Sequence, residues 1–254
     1  MSGALTPDSI SGTVQGYSYR QVAKSIDHSL YKPELTEAQV EEGLQLAAIY
    51  DVAAVCCRPC DIPLAARLLA GSNVQVGSTV GFPHGANTTE TKVVEAVQAM
   101  DSGAVELDMV LNIGQLLSGN IDYVRSDIAA VVEAARGRAM VKVILENAYL
   151  TEDQTVTASK TVAIAGGNFV KTSTGFGPSG AKVGDLILMR ASVPPTVQLK
   201  AAGGIHSLDA MLAVLDVGVT RVGATATRQI LDEFRARAAG EEPPPATEVE
   251  LYDE

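Results

Sequence analysis

The chain has 254 residues, of which 46% are hydrophobic, and a formal net charge of −11 at pH 7. This length and apolar content suffice for one large α/β domain or for two small ones. The acidic balance argues against nucleic acid or an anionic membrane surface as a partner, because both require basic patches. The N-terminus lacks the basic start and apolar core of a signal peptide, and no apolar run approaches the roughly 18 residues needed to span a bilayer. We therefore expect a cytoplasmic protein.

The two ends of the chain differ in composition from its middle. Residues 1–20 are rich in Ser, Gly and Thr and predict a flexible N-terminal extension. Residues 240–254 contain three consecutive prolines and six carboxylates but no Lys or Arg, which predicts an extended acidic tail. No linker interrupts residues 21–239, so this stretch is predicted to form a single domain.

Short β-rich segments alternate along the chain with longer helical segments, which is typical of βαβ units and a parallel sheet. Each interval between successive predicted strands is long enough for a crossover helix. The eight predicted strands are centred near Ile26, Val55, Val76, Leu107, Val143, Val170, Leu199 and Val222. Their even spacing and the chain length favour a (β/α)8 TIM barrel, and an open doubly wound sheet is the alternative.

Capping sequences mark where several helices begin. Thr36-Glu37-Ala38-Gln39 and Thr151-Glu152-Asp153-Gln154 both have the capping-box form, and Ser207 stands directly before an apolar-periodic run. In the first of these helices, one face is predicted to carry Val40, Leu44, Ala47 and Ala48 and to lie on the sheet.

Two lysines occupy matching places at the ends of apolar runs. Lys171 follows Asn168-Phe169-Val170 and precedes small polar residues, and Lys200 follows Val197-Gln198-Leu199 and precedes a loop with two glycines. Partial burial and a second ammonium nearby would both lower the pKa of a lysine and expose its nucleophilic neutral form. The pair therefore predicts Schiff-base chemistry.

The alternation of side chains along two further strands adds ionisable groups to this pair. Asp108 shares a strand face with Glu106, and Lys142 shares one with Glu146. Active sites of such barrels lie at the carboxyl ends of the strands, so these groups and the two lysines are predicted to converge at the barrel mouth. Asp108 could instead simply neutralise Lys142.

Several ordered motifs together resemble one known family, the 2-deoxyribose-5-phosphate aldolases, over about residues 22–234. The most specific is Phe169-Val-Lys-Thr-Ser-Thr-Gly-Phe176. The others are Ile26-Asp-His-Ser-Leu30, Ala54-Val-Cys56, Val80-Gly-Phe-Pro-His-Gly85, Glu106-Leu-Asp-Met-Val-Leu-Asn-Ile-Gly114, Val141-Lys-Val-Ile-Leu-Glu146 and Lys200-Ala-Ala-Gly-Gly-Ile205. The resemblance implies a (β/α)8 barrel and a class I aldolase that reversibly joins acetaldehyde and glyceraldehyde 3-phosphate to give 2-deoxyribose 5-phosphate. It implies no metal and no cofactor.

The resemblance also implies roles for individual residues. Lys171 matches the Schiff-base lysine, Lys200 the second lysine that lowers its pKa, and Asp108 the carboxylate of a proton relay. The positions implied for substrate binding are Asp27 and Cys56 around the small aldehyde, Lys142 near the relay, and Thr172, Gly175, Gly203, Gly204, Gly223 and Thr225. The expected partners are small aldehydes and sugar phosphates, and a homodimer is one assembly open to the chain.

The phosphate end departs from the family pattern. Glycine N–H groups and the helix that begins at Ser207 could bind an anion. However, His206 stands where the family commonly has arginine, and Thr225 and Ala226 offer one hydroxyl where a pair of serines is frequent. An imidazole does not replace the fixed fork of a guanidinium. This departure predicts weaker phosphate binding or a different acceptor aldehyde.

Other motifs and functions stay open at this point. Cys57-Arg58-Pro59-Cys60 has the form of a thioredoxin-like redox pair, although the rest of the chain does not match that small fold and no fourth Cys or nearby His completes a zinc site. Tyr252 in the acidic tail is a candidate proton carrier, as in some members of the family. The chain could also be a sugar-phosphate sensor, or another Schiff-base enzyme that acts on a different or unphosphorylated aldehyde.

Overall fold

The computed structural model describes residue 10 and residues 12–243. Eight parallel strands close into a barrel in the order β10-β3-β4-β5-β6-β7-β8-β9. These strands are β3 (Ile26–Leu30), β4 (Ala54–Cys57), β5 (Gln75–Val80), β6 (Glu106–Val110), β7 (Met140–Ile144), β8 (Phe169–Lys171), β9 (Gln198–Ala202) and β10 (Arg221–Ala224). The closed barrel confirms the predicted (β/α)8 TIM fold, and each predicted strand centre falls inside one of these strands.

Helices connect successive barrel strands and cover the outside of the barrel. They are α1 (Tyr19–Ala23), α2 (Glu37–Ile49), α3 (Ile62–Leu68), α4 (Thr89–Asp101), α5 (Ile113–Leu117), α6 (Ile121–Ala135), α7 (Glu152–Ile164), α8 (Val183–Ser192), α9 (Leu208–Asp216) and α10 (Thr227–Ala239). Both predicted capping boxes form, at Thr36 and at Thr151, and the hydroxyl of Ser207 accepts a hydrogen bond from the N–H of Ala210. The predicted helix starts are therefore confirmed.

The buried face of α2 differs in one position from the prediction. Val40, Leu44 and Ala47 are buried, but Ala48 is exposed and Leu46 is buried in addition. Gly43 explains this difference, because a Cβ built there would lie only 2.4 Å from a methyl carbon of Leu30 on β3. The helix therefore lies closest to the barrel at Gly43, and Ala48 lies at the edge of the contact.

The N-terminal segment is more ordered than the composition suggests. Residues 13–20, predicted as part of a flexible extension, form a hairpin of β1 (Thr13–Val14) and β2 (Tyr17–Ser18) and the start of α1. The ring of Tyr19 is buried and meets Phe234 of α10 edge to face, with ring centroids 5.9 Å apart. Two apolar anchors within a polar stretch are enough to fix it, and a prediction from average composition overlooks them.

The C-terminal helix α10 ends at Ala239, and Gly240 follows it in the left-handed conformation, with φ 73°. Glycine adopts this conformation without steric cost, which makes it the usual residue at a helix end. Tyr252 and most of the predicted tail lie outside the described residues. Within the described part of the chain, no helix combines the length and apolar character required to cross a bilayer.

The strand register brings the predicted chemical groups together. Asp108 on β6 pairs with Lys142 on β7, and Lys171 on β8 pairs with Lys200 on β9. Directly paired residues of adjacent strands point to the same face of the sheet. Each of these pairs therefore presents neighbouring side chains to the same face of the barrel wall.

Candidate active site

Seven charged side chains from six barrel strands meet through a continuous set of ion pairs, and we call them the charged core. Its members are the carboxylates Asp27, Glu106 and Asp108 and the cations Lys142, Lys171, Lys200 and Arg221. All but Arg221 are almost fully buried. Buried charges are stabilised only when they are paired. The core is nearly balanced, with one more cation than carboxylates.

The first part of the charged core joins the two matched lysines through one carboxylate. Lys171 Nζ and Lys200 Nζ both donate to Asp108 Oδ2 at 2.7 Å. Asp108 Oδ1 accepts no hydrogen bond from the described residues, and Lys142 Nζ lies 3.5 Å from it. Asp108 thus contacts both lysines and keeps one oxygen without a protein donor, which is a suitable arrangement for passing protons.

The second part of the charged core lies among Lys142, Arg221 and the other two carboxylates. Lys142 Nζ donates to Asp27 Oδ2 and to Glu106 Oε2, each at 2.5 Å. Arg221 donates to Asp27 Oδ1 at 2.5 Å and to Glu106 Oε1 at 2.7 Å. Lys200 joins the two parts, since its Nζ also lies 2.6 Å from Asp27 Oδ2. Both oxygens of Asp27, which is predicted to line the small-aldehyde pocket, contact cations of the charged core.

The protonation of the lysines differs from the sequence prediction. Burial is the largest single influence and lowers the pKa of Lys171, but the charge and hydrogen bond of Asp108, together with Tyr31 and Cys56, outweigh it and raise that pKa above its ordinary value. The same balance of burial against Asp108 and Asp27 raises the pKa of Lys200. The predicted lowering of the Lys171 pKa is therefore wrong for this arrangement, because it counted a neighbouring ammonium and not the shared carboxylate. The three lysines in turn hold the pKa of Asp108 well below its usual range, although burial opposes them.

Cys56 on β4 is buried close to this group. Burial raises the pKa of its thiol to about 12, with the charge of Asp108 acting in the same direction. Cys56 is therefore a neutral thiol beside the charged core. Cys57 and Cys60 are also free thiols, one buried and one exposed.

Beside the charged core, a small cleft opens among the loops at the carboxyl ends of the strands. Five predicted substrate-binding residues line it together: Gly175, Gly203, Gly204, Gly223 and Thr225. Three of these glycines, Gly175, Gly203 and Gly204, have positive φ angles. His206 also lines the cleft, as does Lys32 from the loop after β3. Lys32 was not among the residues predicted from the sequence, and it adds a cation to the lining of the cleft.

Thr172 is the predicted substrate-binding residue that the structure uses differently. Its hydroxyl donates to the carbonyl oxygen of Ala202 and accepts from the N–H of Ala202, both at 3.1 Å. The hydroxyl thus joins the loop after β8 to the end of β9. This role positions the chain around Lys171, and it does not direct the hydroxyl into the cleft.

Three aromatic rings meet at the mouth of the barrel beside Lys171. The ring centroid of Tyr31 lies 5.2 Å from that of Phe82 and 6.2 Å from that of Phe176, and Phe82 and Phe176 are 5.5 Å apart. Lys171 Nζ lies 5.8 Å from the centre of the Tyr31 ring. The lysine is only 1% exposed. A carbonyl compound must therefore reach it past apolar rings that restrict access of water.

Glu146 holds the loop that follows Lys171, a role that the strand pattern did not reveal. It has a left-handed backbone with φ 57°, and its carboxylate accepts hydrogen bonds from the N–H and the hydroxyl of Thr174. Thr174 Oγ1 in turn accepts from the N–H of Phe176 at 3.0 Å. A Cβ built at Gly177 would lie 3.0 Å from the Glu146 carboxylate, so that position favours glycine.

Of the three histidines, one side chain is buried and two are exposed. His28 is buried on β3, its Nδ1 lies 2.9 Å from Thr227 Oγ1, and burial lowers its pKa to about 4. His84 and His206 are exposed. The hydrogen bond of His28 agrees with a structural role.

Comparison with known proteins places this geometry in a family. Residues 21–233 match the model of the DeoC/LacD family of aldolases. Deoxyribose-phosphate aldolase from Enterococcus faecalis is 48% identical over 205 residues, which cover 81% of this chain and 93% of that protein. The enzyme of the same name from Caldanaerobacter subterraneus subsp. tengcongensis is 46% identical over 225 residues, covering 88% and 97% of the two chains.

A solved structure agrees with this relationship. Deoxyribose phosphate aldolase from Aeropyrum pernix, described as a unique tetramer, superposes with a TM-score of 0.80 at 28% identity and covers 87% of this chain and 93% of that one. The family-model match over residues 21–233 includes every barrel strand and every member of the charged core. The chain therefore belongs to the DeoC/LacD family of aldolases.

Proposed function

We propose that this protein is a deoxyribose-phosphate aldolase that cleaves 2-deoxyribose 5-phosphate to acetaldehyde and glyceraldehyde 3-phosphate, and catalyses the reverse reaction, through a Schiff base on Lys171. The observation that carries the proposal is the contact of Lys171 and Lys200 with one oxygen of Asp108, next to a cleft lined by glycines. The family membership and the names of the relatives support the reaction class.

The chemistry begins when Lys171 passes a proton to Asp108 and attacks the aldehyde carbon of the open-chain sugar. Loss of water gives an iminium, whose positive nitrogen withdraws electrons from the neighbouring carbon. The bond between C2 and C3 then breaks, its electron pair stays on C2 as an enamine, and the C3 hydroxyl passes its proton to the relay of Asp108 and Lys200 as it becomes the carbonyl of glyceraldehyde 3-phosphate. Protonation of the enamine and hydrolysis release acetaldehyde and the free amine, with Asp108 and Lys200 carrying protons.

The cleft supports binding of the phosphate end of the sugar. Backbone N–H groups of Gly203, Gly204 and Gly223 and the start of α9 can bind an anion. Lys32 adds a cationic side chain to the lining of this cleft. We infer that phosphorylated sugar is preferred, in contrast to the weaker phosphate binding predicted from the sequence.

A reductive trapping experiment tests the Schiff base directly. The protein is incubated with acetaldehyde and sodium borohydride, and its peptides are analysed by mass spectrometry. We expect an ethyl group on Lys171, and no such product in Lys171→Leu. Lys160, exposed on α7, is a matched lysine, so Lys160→Leu should be labelled at Lys171 like the wild type.

A retro-aldol assay with 2-deoxyribose 5-phosphate, with and without EDTA, tests the substrate and the expected independence of metal. Cleavage should persist with EDTA and be abolished in Lys171→Leu. A labelled residue other than Lys171, or full activity of Lys171→Leu, would contradict the proposed role. Equal efficiency on 2-deoxyribose would contradict the preference for the phosphate.

The remaining predictions concern organisation. The domain limits at residues 21 and 239, the cytoplasmic location and the homodimer stay predictions. The tetramer of the Aeropyrum pernix enzyme is a property of that protein. Light scattering on the purified chain would determine its own assembly state.

A further inference from the structure

Tyr31 occupies a position between the Schiff-base lysine and the phosphate end of the cleft. It follows β3 and lines the cleft together with Gly203, Gly204 and Gly223. Its ring also faces Lys171 Nζ at 5.8 Å. A substrate that is bonded to Lys171 at one end and held by the glycines at the other must therefore pass the phenol.

The hydroxyl of Tyr31 is oriented by neighbouring groups. Ser29, on the same strand end, forms a hydrogen bond with it. A Cβ built at Gly175 would lie 3.5 Å from the phenolic oxygen, so the hydroxyl lies directly against the loop that follows Lys171. The hydroxyl thus has Ser29 as a hydrogen-bond partner and lies next to the loop that contains Gly175.

The environment also determines the chemical state of this hydroxyl. Burial raises the pKa of Tyr31, and the nearby charge of Lys171 opposes this effect only in part. The phenol remains protonated at neutral pH and acts as a hydrogen-bond donor. A neutral donor in an apolar ring cluster binds a carbonyl or hydroxyl oxygen without adding charge next to the iminium.

We propose that the Tyr31 hydroxyl donates a hydrogen bond to the acceptor oxygen, which is the carbonyl oxygen of the incoming aldehyde and the C3 hydroxyl of the sugar. As the enamine carbon bonds to the carbonyl carbon, electron density moves onto this oxygen, and the hydrogen bond strengthens. Tyr31 keeps its own proton throughout, and the proton that this oxygen takes up comes from the relay of Asp108 and Lys200. Its ring, with Phe82 and Phe176, encloses the carbon atoms that react.

This role of Tyr31 rests on the proposed aldol reaction. It predicts different effects on two reactions, Schiff-base formation with acetaldehyde and cleavage of 2-deoxyribose 5-phosphate. Acetaldehyde alone forms the Schiff base without any acceptor oxygen near Tyr31. Cleavage of 2-deoxyribose 5-phosphate requires that oxygen. Removal of the hydroxyl should therefore affect the second reaction and leave the first unchanged.

The test compares Tyr31→Phe with the wild type in two assays: steady-state cleavage of 2-deoxyribose 5-phosphate, and borohydride trapping of acetaldehyde on Lys171. We expect kcat/KM for cleavage to fall about tenfold, mainly in kcat, because one hydrogen bond that strengthens in the transition state is lost. The rate of trapping should match that of the wild type. Tyr19→Phe is the control, since Tyr19 is another buried phenol whose hydroxyl bonds to a backbone oxygen away from the cleft.

Ser29→Ala is a second variant that tests the role of the Tyr31 hydroxyl, and it leaves the phenol itself in place. Loss of the orienting hydroxyl should reduce cleavage in the same selective way, by a smaller factor. Unchanged cleavage in Tyr31→Phe, or an equal loss in both assays, would overturn the role of Tyr31 while the aldolase reaction stands. A wild type that traps no acetaldehyde and cleaves no sugar would overturn the proposed function itself and this inference with it.

Discussion

Replacing Asp108 by Asn removes one negative charge from the charged core and changes its shape very little. The variant keeps four cations but only two carboxylates, and Lys171 and Lys200 both lose a charged partner at 2.7 Å. Breaking a buried ion pair by removing one partner costs about 3–5 kcal/mol. We expect a decrease of this size in the free energy of unfolding at pH 7, unless one lysine gives up its proton.

The pH dependence of the free energy of unfolding shows whether a lysine in Asp108→Asn has lost its proton. In the wild type, the pKa values of Lys142, Lys171 and Lys200 are raised, so the stability they contribute is complete below about pH 10.4 and is lost only as the pH rises further, through the folded-state pKa. In Asp108→Asn, the surplus of positive charge lowers the pKa of a lysine in the folded protein. The variant should then gain about 1.4 kcal/mol of stability relative to the wild type for each pH unit toward 10.

The assay is urea denaturation of both proteins at pH 7, 8 and 9, with the difference between them taken at each pH. This difference cancels the shared titration of other groups, including the buried thiols. The control is Asp209→Asn, which removes an exposed carboxylate paired with Arg237 and should behave like the wild type across this range. An Asp108→Asn protein that is as stable as the wild type at pH 7, with no gain toward pH 9, would refute the charge count. Its kcat should also fall by about 10²- to 10⁴-fold, because Asp108 is the proposed acid-base group.

Three further predictions concern other parts of the barrel. Burial lowers the pKa of His28 to about 4, whereas the unfolded histidine binds a proton from about pH 6.5 downward. The free energy of unfolding should therefore fall by about 2 kcal/mol as the pH falls from 7.5 to 5. His28→Asn should remove this loss in urea titrations. Lys92→Met should lower the free energy of unfolding by about 3–5 kcal/mol, because it leaves the buried Asp127 without a cation and with the Thr89 hydroxyl as its hydrogen-bond donor. The double variant with Asp127→Leu should recover most of this loss, and a double variant as unstable as the single one would contradict the prediction. Glu146→Gln should raise KM for 2-deoxyribose 5-phosphate about tenfold and leave acetaldehyde trapping intact, and Thr174→Val should reproduce the effect if the two side chains act together.

The parts of the fold that local sequence patterns encode were predictable. The barrel strands follow from the alternation of short β-rich segments with long helical ones, and capping residues such as Thr36 and Thr151 mark helix starts through contacts only three residues away. The convergence of Lys171 and Lys200 was also predictable, because they lie at paired positions of neighbouring parallel strands. The hairpin before α1 was not, since it depends on contact with α10 at the other end of the chain.

The partners that complete the site come from distant parts of the sequence. Arg221 meets Asp27 across 194 positions, because barrel closure places β10 beside β3. Alternation along single strands does not reveal such a contact. Tyr31 and Lys32 lie in a loop whose course over the cleft is set by tertiary packing. For the same reason, the sequence predicted the wrong direction for the Lys171 pKa: the carboxylates that determine it are brought in by the fold.

The raised pKa of Lys171 is compatible with Schiff-base catalysis when the whole reaction is considered. An iminium on Lys171 carries the same positive charge as the ammonium and lies next to the same carboxylate, Asp108. The arrangement that stabilises the ammonium therefore also stabilises the iminium, the intermediate from which the carbon bond is broken. The enzyme must then remove one proton before attack, and the carboxylate that raises the pKa is in direct contact with the nitrogen to accept it. A neutral carbinolamine or enamine gains least from the core, so the charged core favours formation of the proposed iminium.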